Sequence, residues 1–348
     1  MTSRAARDVR QRLYNAAHFP PFMPIVTPDN TSRRRMISIV CAVYNEEPSI
    51  DYFYERLGRT LGPLRDRYDF ELIFVNNASQ DGTLGRIVAL RQVDPSVQVL
   101  TQSRNFGYQA SILCGMQHVH GDATIIIDVD CEDPPEMIPT FIQRWEEGYD
   151  LVYGQRAGRP EAAPVVWARK LFYRITHAIA DTDFVIDMAE FSLFSDRVRR
   201  EALHSHSTFP FMRSQLAFVG FRRIGIPYDR QLRAFGKTYY NLLGMFAFAI
   251  NGMLSASTFP LRFVAYAGFP AAAINLLAAL AVAVGVDIRW LAVLVMLDAA
   301  LAFLAFGVLA VYLARVTKDV AARPVFIVDW ERSHVNVSTG VAEASQRP

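Results

Sequence analysis

Two aspartates, Asp128 and Asp130, are separated by one residue at the end of an apolar run, where they could bind a metal ion. The run Ala123–Val129 reads as a buried strand, and a strand end that frays can direct both carboxylates at one cation. Oxygen ligands suit Mg²⁺ or Mn²⁺, and a bound diphosphate can supply the rest of the coordination shell. Two aspartates at this spacing are common by chance, but here Glu132–Glu136 ends the strand with two prolines and begins a helix. The sequence therefore predicts a metal site formed by Asp128 and Asp130.

Polar residues also follow two earlier apolar runs. The segment Tyr44–Glu47 follows the first run, and Asn76–Thr83 follows the second. Such clusters at strand ends can present backbone donors and carboxylates to a ligand. Each is also typical of an ordinary turn, with Asp81 or Thr83 capping the next helix, so neither is evidence for a site by itself.

Short apolar runs alternate with segments of helical length in the first half of the chain. The predicted strands are Ile37–Val43, Phe70–Asn76, Val97–Thr101, Ala123–Val129 and Asp150–Tyr153. The predicted helices are Ser49–Leu61, Thr83–Arg91, Tyr108–Val119 and Glu136–Glu146. Strands that are apolar almost throughout suit a parallel sheet covered on both faces, and the alternation predicts a doubly wound α/β fold. Ligands bind such sheets at the carboxyl ends of the strands, which is where the polar clusters lie.

The second half of the chain contains two long apolar segments, Phe263–Val284 and Trp290–Val311. Each is long enough to cross the hydrocarbon core of a bilayer as a helix. The short linker Gly285–Arg289 makes them an antiparallel hairpin. A buried hairpin of a soluble protein is the alternative, which two full-length segments in tandem disfavour. The preceding segment, Asn241–Phe259, is mostly apolar and is expected to lie in the headgroup plane.

Basic residues flank the hairpin on both sides. Arg262 precedes the first segment, and Arg315, Lys318 and Arg323 follow the second. The positive-inside rule then places both ends of the hairpin in the cytoplasm. The N-terminus contains arginines but no apolar segment typical of a signal peptide, which agrees with a cytoplasmic first domain.

The composition limits the remaining interpretations. A chain of 348 residues can form one large domain with an appendage, and a net charge of +2 argues against nucleic-acid binding. The three cysteines, Cys41, Cys114 and Cys131, lack metal or disulfide spacing and are expected to be reduced and buried. Asp298 lies in the second apolar segment, where a charge is costly, so we expect it to be protonated and bonded to Asn275 or a neighbouring subunit.

Several short motifs occur in a family-specific order along the chain. They are Tyr44-Asn45-Glu46-Glu47, Ser79-x-Asp81-Gly82-Thr83, Ser103-Arg104-Asn105-Phe106-Gly107, Gly121-Asp122, Asp128-x-Asp130-x-x-Asp133-Pro134-Pro135-Glu136, Tyr153-Gly154-x-Arg156, Leu171-Phe172-Tyr173 and Pro260-Leu261-Arg262. As an ordered set, they resemble the family-2 glycosyltransferases of the GT-A fold. Within that family the chain is most similar to the polyprenyl-phosphate glycosyltransferases, which include dolichol-phosphate mannose synthases and bactoprenol glucosyltransferases. The resemblance runs from about residue 37 to residue 316.

The resemblance implies roles for particular residues. Asp128 and Asp130 would bind the metal and the donor diphosphate, while Asp187 and Glu190 would act as a catalytic base or position the donor sugar. The remaining candidates would contact the nucleotide or its phosphates: Tyr44, Asn45, Glu47, Asn76, Asn77, Arg104, Arg156, Arg213, Arg233 and Lys237. The arginines suit phosphate oxygens because a guanidinium can donate two parallel hydrogen bonds.

The chain departs from the family pattern at several positions. Ala42 stands where proline is usual, and Asn76-Asn77-Ala78-Ser79 replaces a usual Asp-Asp-Gly-Ser run, in which a carboxylate takes the imide proton of the base. The family's Gly-Asp-Phe-Arg run reads Ala189-Glu190-Phe191-Ser192, and its Gly-x-Ser-Lys-Tyr run reads Gly236-Lys237-Thr238-Tyr239-Tyr240. These changes weaken inference about the nucleotide, the sugar and the acceptor more than inference about the reaction class.

The sequence, with this resemblance, thus predicts a doubly wound α/β domain of the GT-A type, with a mostly parallel sheet, followed by interfacial helices and a two-helix transmembrane hairpin. The expected ranges are a basic arm at 1–35, a cytosolic domain at 36–240, an interfacial segment at 241–259, the hairpin at 260–316 and a cytosolic tail at 317–348. The expected activity is metal-dependent transfer of a glycosyl group from a UDP- or GDP-linked sugar to a polyprenyl phosphate. The expected location is the cytoplasmic face of a bacterial inner membrane, with self-association left open.

Three alternatives remain at this stage. A processive polysaccharide synthase would carry a Gln-x-x-Arg-Trp motif, whereas this chain has Gln143-Arg144-Trp145 on a different helix. A transferase with a soluble or protein acceptor would use the same domain. A non-catalytic membrane partner would explain the altered motifs, although the retained Asp128 and Asp130 argue against it.

Overall fold

A computed structural model of the protein describes residues 34–156, 188–204, 211–233, 258–285 and 291–336. The segment Met1–Arg34 forms a unit separate from Arg35–Pro348, and residues 1–33 lie outside the described part. Residues 241–257 of the predicted interfacial segment at 241–259 and residues 286–289 of the predicted linker at 285–289 also lie outside it.

The domain is built on an eight-stranded mixed sheet with the order β7-β5-β6-β4-β1-β2-β3-β8. Its strands are β1 (Arg35–Val43), β2 (Tyr68–Asn76), β3 (Val97–Gln102), β4 (Ala123–Ile126), β5 (Leu151–Arg156), β6 (Met188–Ser195), β7 (Arg223–Tyr228) and β8 (Val328–His334). The four central strands β1 to β4 are mutually parallel, and β5 is parallel to β7. The strands β6 and β8 run antiparallel to their neighbours.

Helices cover both faces of the sheet. They are α1 (Glu47–Leu61), α2 (Thr83–Val93), α3 (Tyr108–His118), α4 (Ile138–Glu146), α5 (Asp196–Leu203) and α6 (Met212–Phe218), with short 3₁₀ turns at Gly62–Leu64 and Pro135–Met137. Alternate residues of β1 belong to two separate cores, Ile39 to one and Val40 to the other. The apolar strands therefore form a sheet buried on both faces, as predicted.

Helix α3 lies very close to the sheet at Gly115. A β-carbon at this position would lie 2.3 Å from Cγ1 of Val40 on β1. Because no side chain fits in that space, glycine here sets the distance between α3 and the sheet, and so fixes the height of the first turn of α3 above the strand ends.

Two long helices follow the sheet domain, α7 (Phe259–Ala283) and α8 (Leu291–Val320). Their mean hydropathies, 1.8 and 2.5, and their lengths make them candidate membrane spans. None of their residues is buried within the described part of the chain. Asn275, an expected partner of Asp298, donates instead to the carbonyl oxygen of Ala271 in its own helix (2.9 Å).

The chain returns to the sheet after α8, which the sequence analysis did not predict. Strand β8 comes from the range expected to be a tail and pairs antiparallel with β3, Gln102 opposite Val328. Ser103 donates its backbone N–H to Ile327 (2.9 Å), and the buried Thr101 hydroxyl donates to the carbonyl of Arg332 (2.8 Å). Because β1 and β8 belong to one sheet, the chain on either side of the helical hairpin must lie on the same side of any membrane that the hairpin crosses.

This topology predicts a pattern of thiol labelling. Cysteines introduced as Asp66→Cys and Glu331→Cys, both at exposed positions, should react with an impermeant maleimide from the same side of the membrane. Val286→Cys, between the helices and outside the described residues, should react from the opposite side. The three native cysteines are buried and give a low background. Labelling of positions 66 and 331 from opposite sides would contradict the shared sheet.

Candidate active site

Three loops at the carboxyl edge of the parallel strands form the floor of the candidate site. Each contains a non-glycine residue in the left-handed region: Asn45 after β1 (φ 54°), Ala78 after β2 (φ 57°) and Cys131 after β4 (φ 56°). Left-handed backbone is unfavourable for residues with a side chain and clusters at functional sites. The three sharp turns gather the polar segments at one edge of the sheet, as the sequence analysis expected.

The first two loops are tied together by side-chain hydrogen bonds. The side-chain oxygen of Asn45 accepts from the backbone N–H of Gln80 (2.8 Å). The backbone N–H of Asn45 donates to the Ser79 hydroxyl (3.0 Å). The Glu47 carboxylate accepts from the backbone N–H of Gly82 (3.0 Å). A β-carbon on Gly82 would lie 2.4 Å from this carboxylate, so the close approach requires glycine.

The asparagines after β2 are buried and hold the neighbouring loops. Asn76 accepts from the N–H of Ser79 (3.0 Å), and its Nδ2 has no hydrogen-bond partner within the described residues. Asn77 accepts from the N–H of Phe106 (2.8 Å) and donates to Oδ1 of Asn105 (2.9 Å). The two amides therefore fix the positions of the loops after β2 and β3.

The predicted metal aspartates lie in a cluster of acidic groups. Asp128 is half-buried and accepts a hydrogen bond from the Tyr108 hydroxyl (2.7 Å). Loss of solvation, followed by the charges of the nearby Asp130 and Asp133, raises the pKa of Asp128 to about 7. Loss of solvation also raises the pKa of Glu46, which faces the same cluster. The strand end thus concentrates negative charge where little water reaches it.

Arginines from the segment after β7 compensate part of this charge. The Arg233 guanidinium lies 2.9 Å from Glu46 Oε1 and 3.2 Å from Asp130 Oδ2. Arg230 pairs with Glu132. The side-chain oxygen of Gln231 accepts from Arg56 of α1 (2.8 Å). The backbone N–H of Gln231 donates to the carbonyl oxygen of Glu132 (2.9 Å). Residues 229–233 therefore lie across the acidic cluster as a strap that is anchored to α1.

The carboxylate of Asp133 is buried below the cluster, only 1% exposed. It accepts from the Tyr228 hydroxyl at the end of β7, and Arg156 at the end of β5 lies 3.6 Å away. Loss of solvation, followed by the charge of Asp133, raises the pKa of Tyr228, which keeps the phenol protonated as a donor. Asp133 therefore joins the ends of β5 and β7 to the loop after β4.

A second acidic group lies across the site on β6. Glu190 is 6% exposed, and its Oε1 accepts from Gln109 of α3 (2.9 Å) and from Arg213 of α6 (2.8 Å). The charge of Glu190 contributes to the raised pKa values of Asp128 and Tyr108, so the groups share one electrostatic environment.

The carboxylates at this edge are better suited to a cation that a bound diphosphate also coordinates than to a cation bound by protein groups alone. Within the described residues, no group of three His, Cys, Asp or Glu side chains is arranged to hold a metal. Mg²⁺ is commonly bound by one or two carboxylates together with substrate phosphates. Asp128 and Asp130 can supply such a pair, and the crowded charge around Asp128 would be relieved by a cation.

Most of the described site residues that were predicted lie at one edge of the sheet. Several of them already contact other side chains of the same chain. Arg156, Arg213 and Arg233 all contact carboxylates. Arg104 is exposed, with its guanidinium 4.0 Å from the ring centroid of Phe106, and Tyr44 lies half-buried after β1. The predicted candidates Asp187 and Lys237, with the Leu171-Phe172-Tyr173 motif, lie outside the described residues.

Several site residues were missed by the sequence analysis. Glu46 and Asp133 lie within motifs that it quoted, and their acidic side chains beside the aspartate pair were an available signal. Tyr108 and Gln109 begin a predicted helix and carry no motif of their own. Tyr228 and Arg230 are about a hundred residues from the aspartates, and no local pattern indicates the contact.

Comparison with known proteins assigns the chain to a family. The sequence profile of glycosyl transferase family 2 matches residues 38–214. The Bacillus subtilis glycosyltransferase YkcC is 33% identical over 306 residues, covering 85% of this chain and 94% of the relative. The SfII prophage-derived bactoprenol glucosyl transferase of Shigella flexneri is 32% identical over 315 residues, covering 86% and 98%. A solved mannosyltransferase from Pyrobaculum calidifontis, in complex with GDP-Man and Mn²⁺, is 21% identical with a TM-score of 0.43 and covers 88% and 94%.

The mostly parallel sheet with an acidic edge defines a glycosyltransferase-type α/β domain followed by two apolar helices. The chain belongs to glycosyl transferase family 2. The fold class and the family resemblance expected from the motifs are both confirmed.

The charge distribution in the acidic cluster predicts that its two aspartates contribute differently to thermal stability. Without divalent cations at pH 8, Asp128→Asn should raise the thermal midpoint by about 2–4 °C, since it removes a poorly solvated charge. Because the pKa of Asp128 in the folded protein lies above its ordinary value, the gain should be full above about pH 7 and lost towards pH 4. Asp130→Asn should give no gain, because it removes one of the two carboxylates that contact Arg233. Thermal unfolding of both variants across this pH range in EDTA provides the measurement, and equal shifts for the two would contradict this charge distribution.

Proposed function

We propose that the protein transfers a glycosyl group from a nucleotide diphosphate sugar to a polyprenyl phosphate at the cytoplasmic face of the membrane. Family membership supports the glycosyl transfer. The bactoprenol glucosyl transferases among its relatives support a polyprenyl acceptor for this chain. The donor would be linked to UDP or GDP, and the bilayer would hold the protein through α7 and α8.

The observation that carries the proposal is the position of the helical hairpin relative to the acidic edge. Strand β8 begins at Val328 opposite Gln102, the last residue of β3, so the chain from α8 enters the sheet at the carboxyl edge. Residues 321–327 separate α8 from β8, and seven residues span at most about 25 Å. The C-terminal end of α8 therefore lies within about 25 Å of the same sheet edge that carries Asp128 and Asp130. A lipid-linked phosphate can reach such a site while its tail stays in hydrocarbon.

The acidic groups would act on the donor. Asp128 and Asp130 would hold Mg²⁺ or Mn²⁺ together with the donor diphosphate, and the bound cation would stabilise the negative charge of the leaving diphosphate. The Tyr108 hydroxyl keeps the Asp128 carboxylate oriented. Arg233 of the strap, next to Asp130 and Glu46, would move from these carboxylates to an oxygen of the acceptor phosphate.

The acceptor needs positioning more than deprotonation. A phosphomonoester has a second pKa near ~6 and is largely a dianion at neutral pH, so its oxygen is already nucleophilic. Glu190, which is held by Gln109 and Arg213, is therefore proposed to position the donor sugar rather than to act as a strong base. Arg213 and Arg233 are proposed to bind the acceptor phosphate.

The reaction can be tested with labelled UDP- and GDP-sugars and undecaprenyl phosphate in detergent. We expect organic-extractable product, loss of activity in EDTA and recovery with Mg²⁺ or Mn²⁺. Asp128→Asn and Asp130→Asn should each lower turnover by about 10²-fold or more, because each removes a ligand that stabilises the leaving group. Transfer that is indifferent to EDTA would contradict the metal assignment. Product that stays in the aqueous phase would favour a soluble or protein acceptor, and absence of any product would favour a non-catalytic partner.

The proposed phosphate clamp predicts a selective change in acceptor dependence. Arg213→Gln and Arg233→Gln should raise the KM for undecaprenyl phosphate by about tenfold to a hundredfold, since a charge-assisted hydrogen bond contributes about 1.5–3 kcal/mol. The KM for the nucleotide sugar should change less. Arg197→Gln is a matched control, because Arg197 pairs with Asp150 before the start of β5, at the opposite edge of the sheet. If all three changes raise the KM for undecaprenyl phosphate equally, Arg213 and Arg233 do not bind the acceptor phosphate.

A further inference from the structure

The first turn of α3 contacts acidic groups on both sides of the site. The Tyr108 hydroxyl donates to Oδ1 of Asp128 (2.7 Å), at the end of β4. The next residue, Gln109, donates its Nε2 to Oε1 of Glu190 (2.9 Å), on β6. Two adjacent side chains of one helix turn therefore hold the carboxylate assigned to the metal and the carboxylate assigned to the sugar.

The start of this helix is fixed by contacts that do not involve a ligand. Gly107, immediately before α3, has φ 93°, a conformation that favours glycine. Its N–H donates to Oδ1 of Asn105 (2.9 Å), and the same oxygen accepts from the side chain of Asn77, directly after β2 (2.9 Å). Gly115 brings the helix against Val40 of β1. The first turn is thus held from the ends of β1 and β2 before any substrate binds.

Gln109 also connects α3 to α6. Its Oε1 accepts from the backbone N–H of Met212 (2.9 Å), which fixes the direction of the amide, so that Nε2 must point at Glu190. Arg213, the next residue of α6, donates to the same Glu190 oxygen (2.8 Å). Gln109 therefore determines the position of Glu190 both directly and through the helix that carries Arg213.

We propose that Tyr108 and Gln109 are positioning residues that set the relative placement of Asp128 and Glu190. The inference rests on the proposed function for the roles of those two carboxylates. Tyr108 occupies one oxygen of Asp128 and leaves the other for a cation, while Gln109 holds Glu190 at the far side of the site. Hydrogen-bonding partners of metal ligands commonly change metal affinity or activity by about 10–100-fold when they are removed.

The chain offers a matched control for each residue. Tyr54 donates its hydroxyl to Asp94 (2.8 Å), at the end of α2 that is remote from the site. Gln98 donates Nε2 to Glu71 (3.1 Å) and accepts the backbone N–H of Asn336 (2.7 Å), which reproduces the bonding of Gln109 away from the acidic edge. The variants to compare are Tyr108→Phe with Tyr54→Phe, and Gln109→Met with Gln98→Met.

Three measurements on the full-length protein in detergent test the proposal: Mn²⁺ binding by electron paramagnetic resonance with UDP and separately with GDP, thermal unfolding, and steady-state transfer. Tyr108→Phe should weaken Mn²⁺ binding by about tenfold or more, with a thermal midpoint close to that of Tyr54→Phe, whose Mn²⁺ affinity stays at the wild-type value. Gln109→Met should retain Mn²⁺ affinity and lower kcat by about tenfold, while Gln98→Met should retain kcat.

Wild-type Mn²⁺ affinity in Tyr108→Phe, or wild-type kcat in Gln109→Met, would overturn the assignment of that residue. An equal loss in a variant and its control would also overturn it, since the effect would then be one of general stability. If the wild-type protein binds Mn²⁺ with nucleotide but transfers no sugar, the proposed function fails. The Mn²⁺ comparison of Tyr108→Phe with Tyr54→Phe would still decide the role of Tyr108.

Discussion

Negative charge held at a poorly solvated sheet edge is the constraint on which the rest of this site depends. Asp128, Asp130, Asp133 and Glu46 are brought together because three adjacent loops turn sharply at the same edge. Burying carboxylates is costly unless they are paired. The segment after β7 supplies part of the compensation through Arg230 and Arg233.

The compensation is unequal between the two predicted metal ligands. Asp130 and the buried Asp133 each have an arginine nearby, whereas Asp128 has a hydrogen bond from a neutral phenol. A phenol orients a carboxylate without neutralising it. Under the proposed function, this arrangement leaves Asp128 to pair with a cation, and Arg233 can exchange a carboxylate for the acceptor phosphate.

The fold around this edge was predictable where local pattern determines it. The strands β1 to β4 and the helices between them follow from apolar runs of strand length that alternate with helical segments. Strand β4 ends at Ile126 rather than at the predicted Val129, because the chain turns towards the acidic loop. The strands β6, β7 and β8 were missed, since their pairing depends on contacts between distant segments.

The site was predictable to a similar extent, and for the same reason. The acidic residues form short motifs at strand ends, so the sequence indicates them together. Their partners Tyr228 and Arg230 come from a strand edge that only the assembled sheet brings near. The return of β8 to the sheet could not be predicted from local sequence either, although it determines how closely the two apolar helices are tied to the sheet.

One departure from the family pattern acquires a physical explanation. Asn77 stands where the resemblance leads us to expect an aspartate, and its amide both accepts from the N–H of Phe106 and donates to Asn105. A carboxylate could accept the first bond but could not donate the second. Asn105 could not reverse its amide to compensate, because the same oxygen also accepts from Gly107. The asparagine is therefore matched to the loop that starts α3, and through Tyr108 and Gln109 to the acidic groups of the site. The substitution of asparagine at this position is therefore accommodated by the hydrogen bonds of the neighbouring loop.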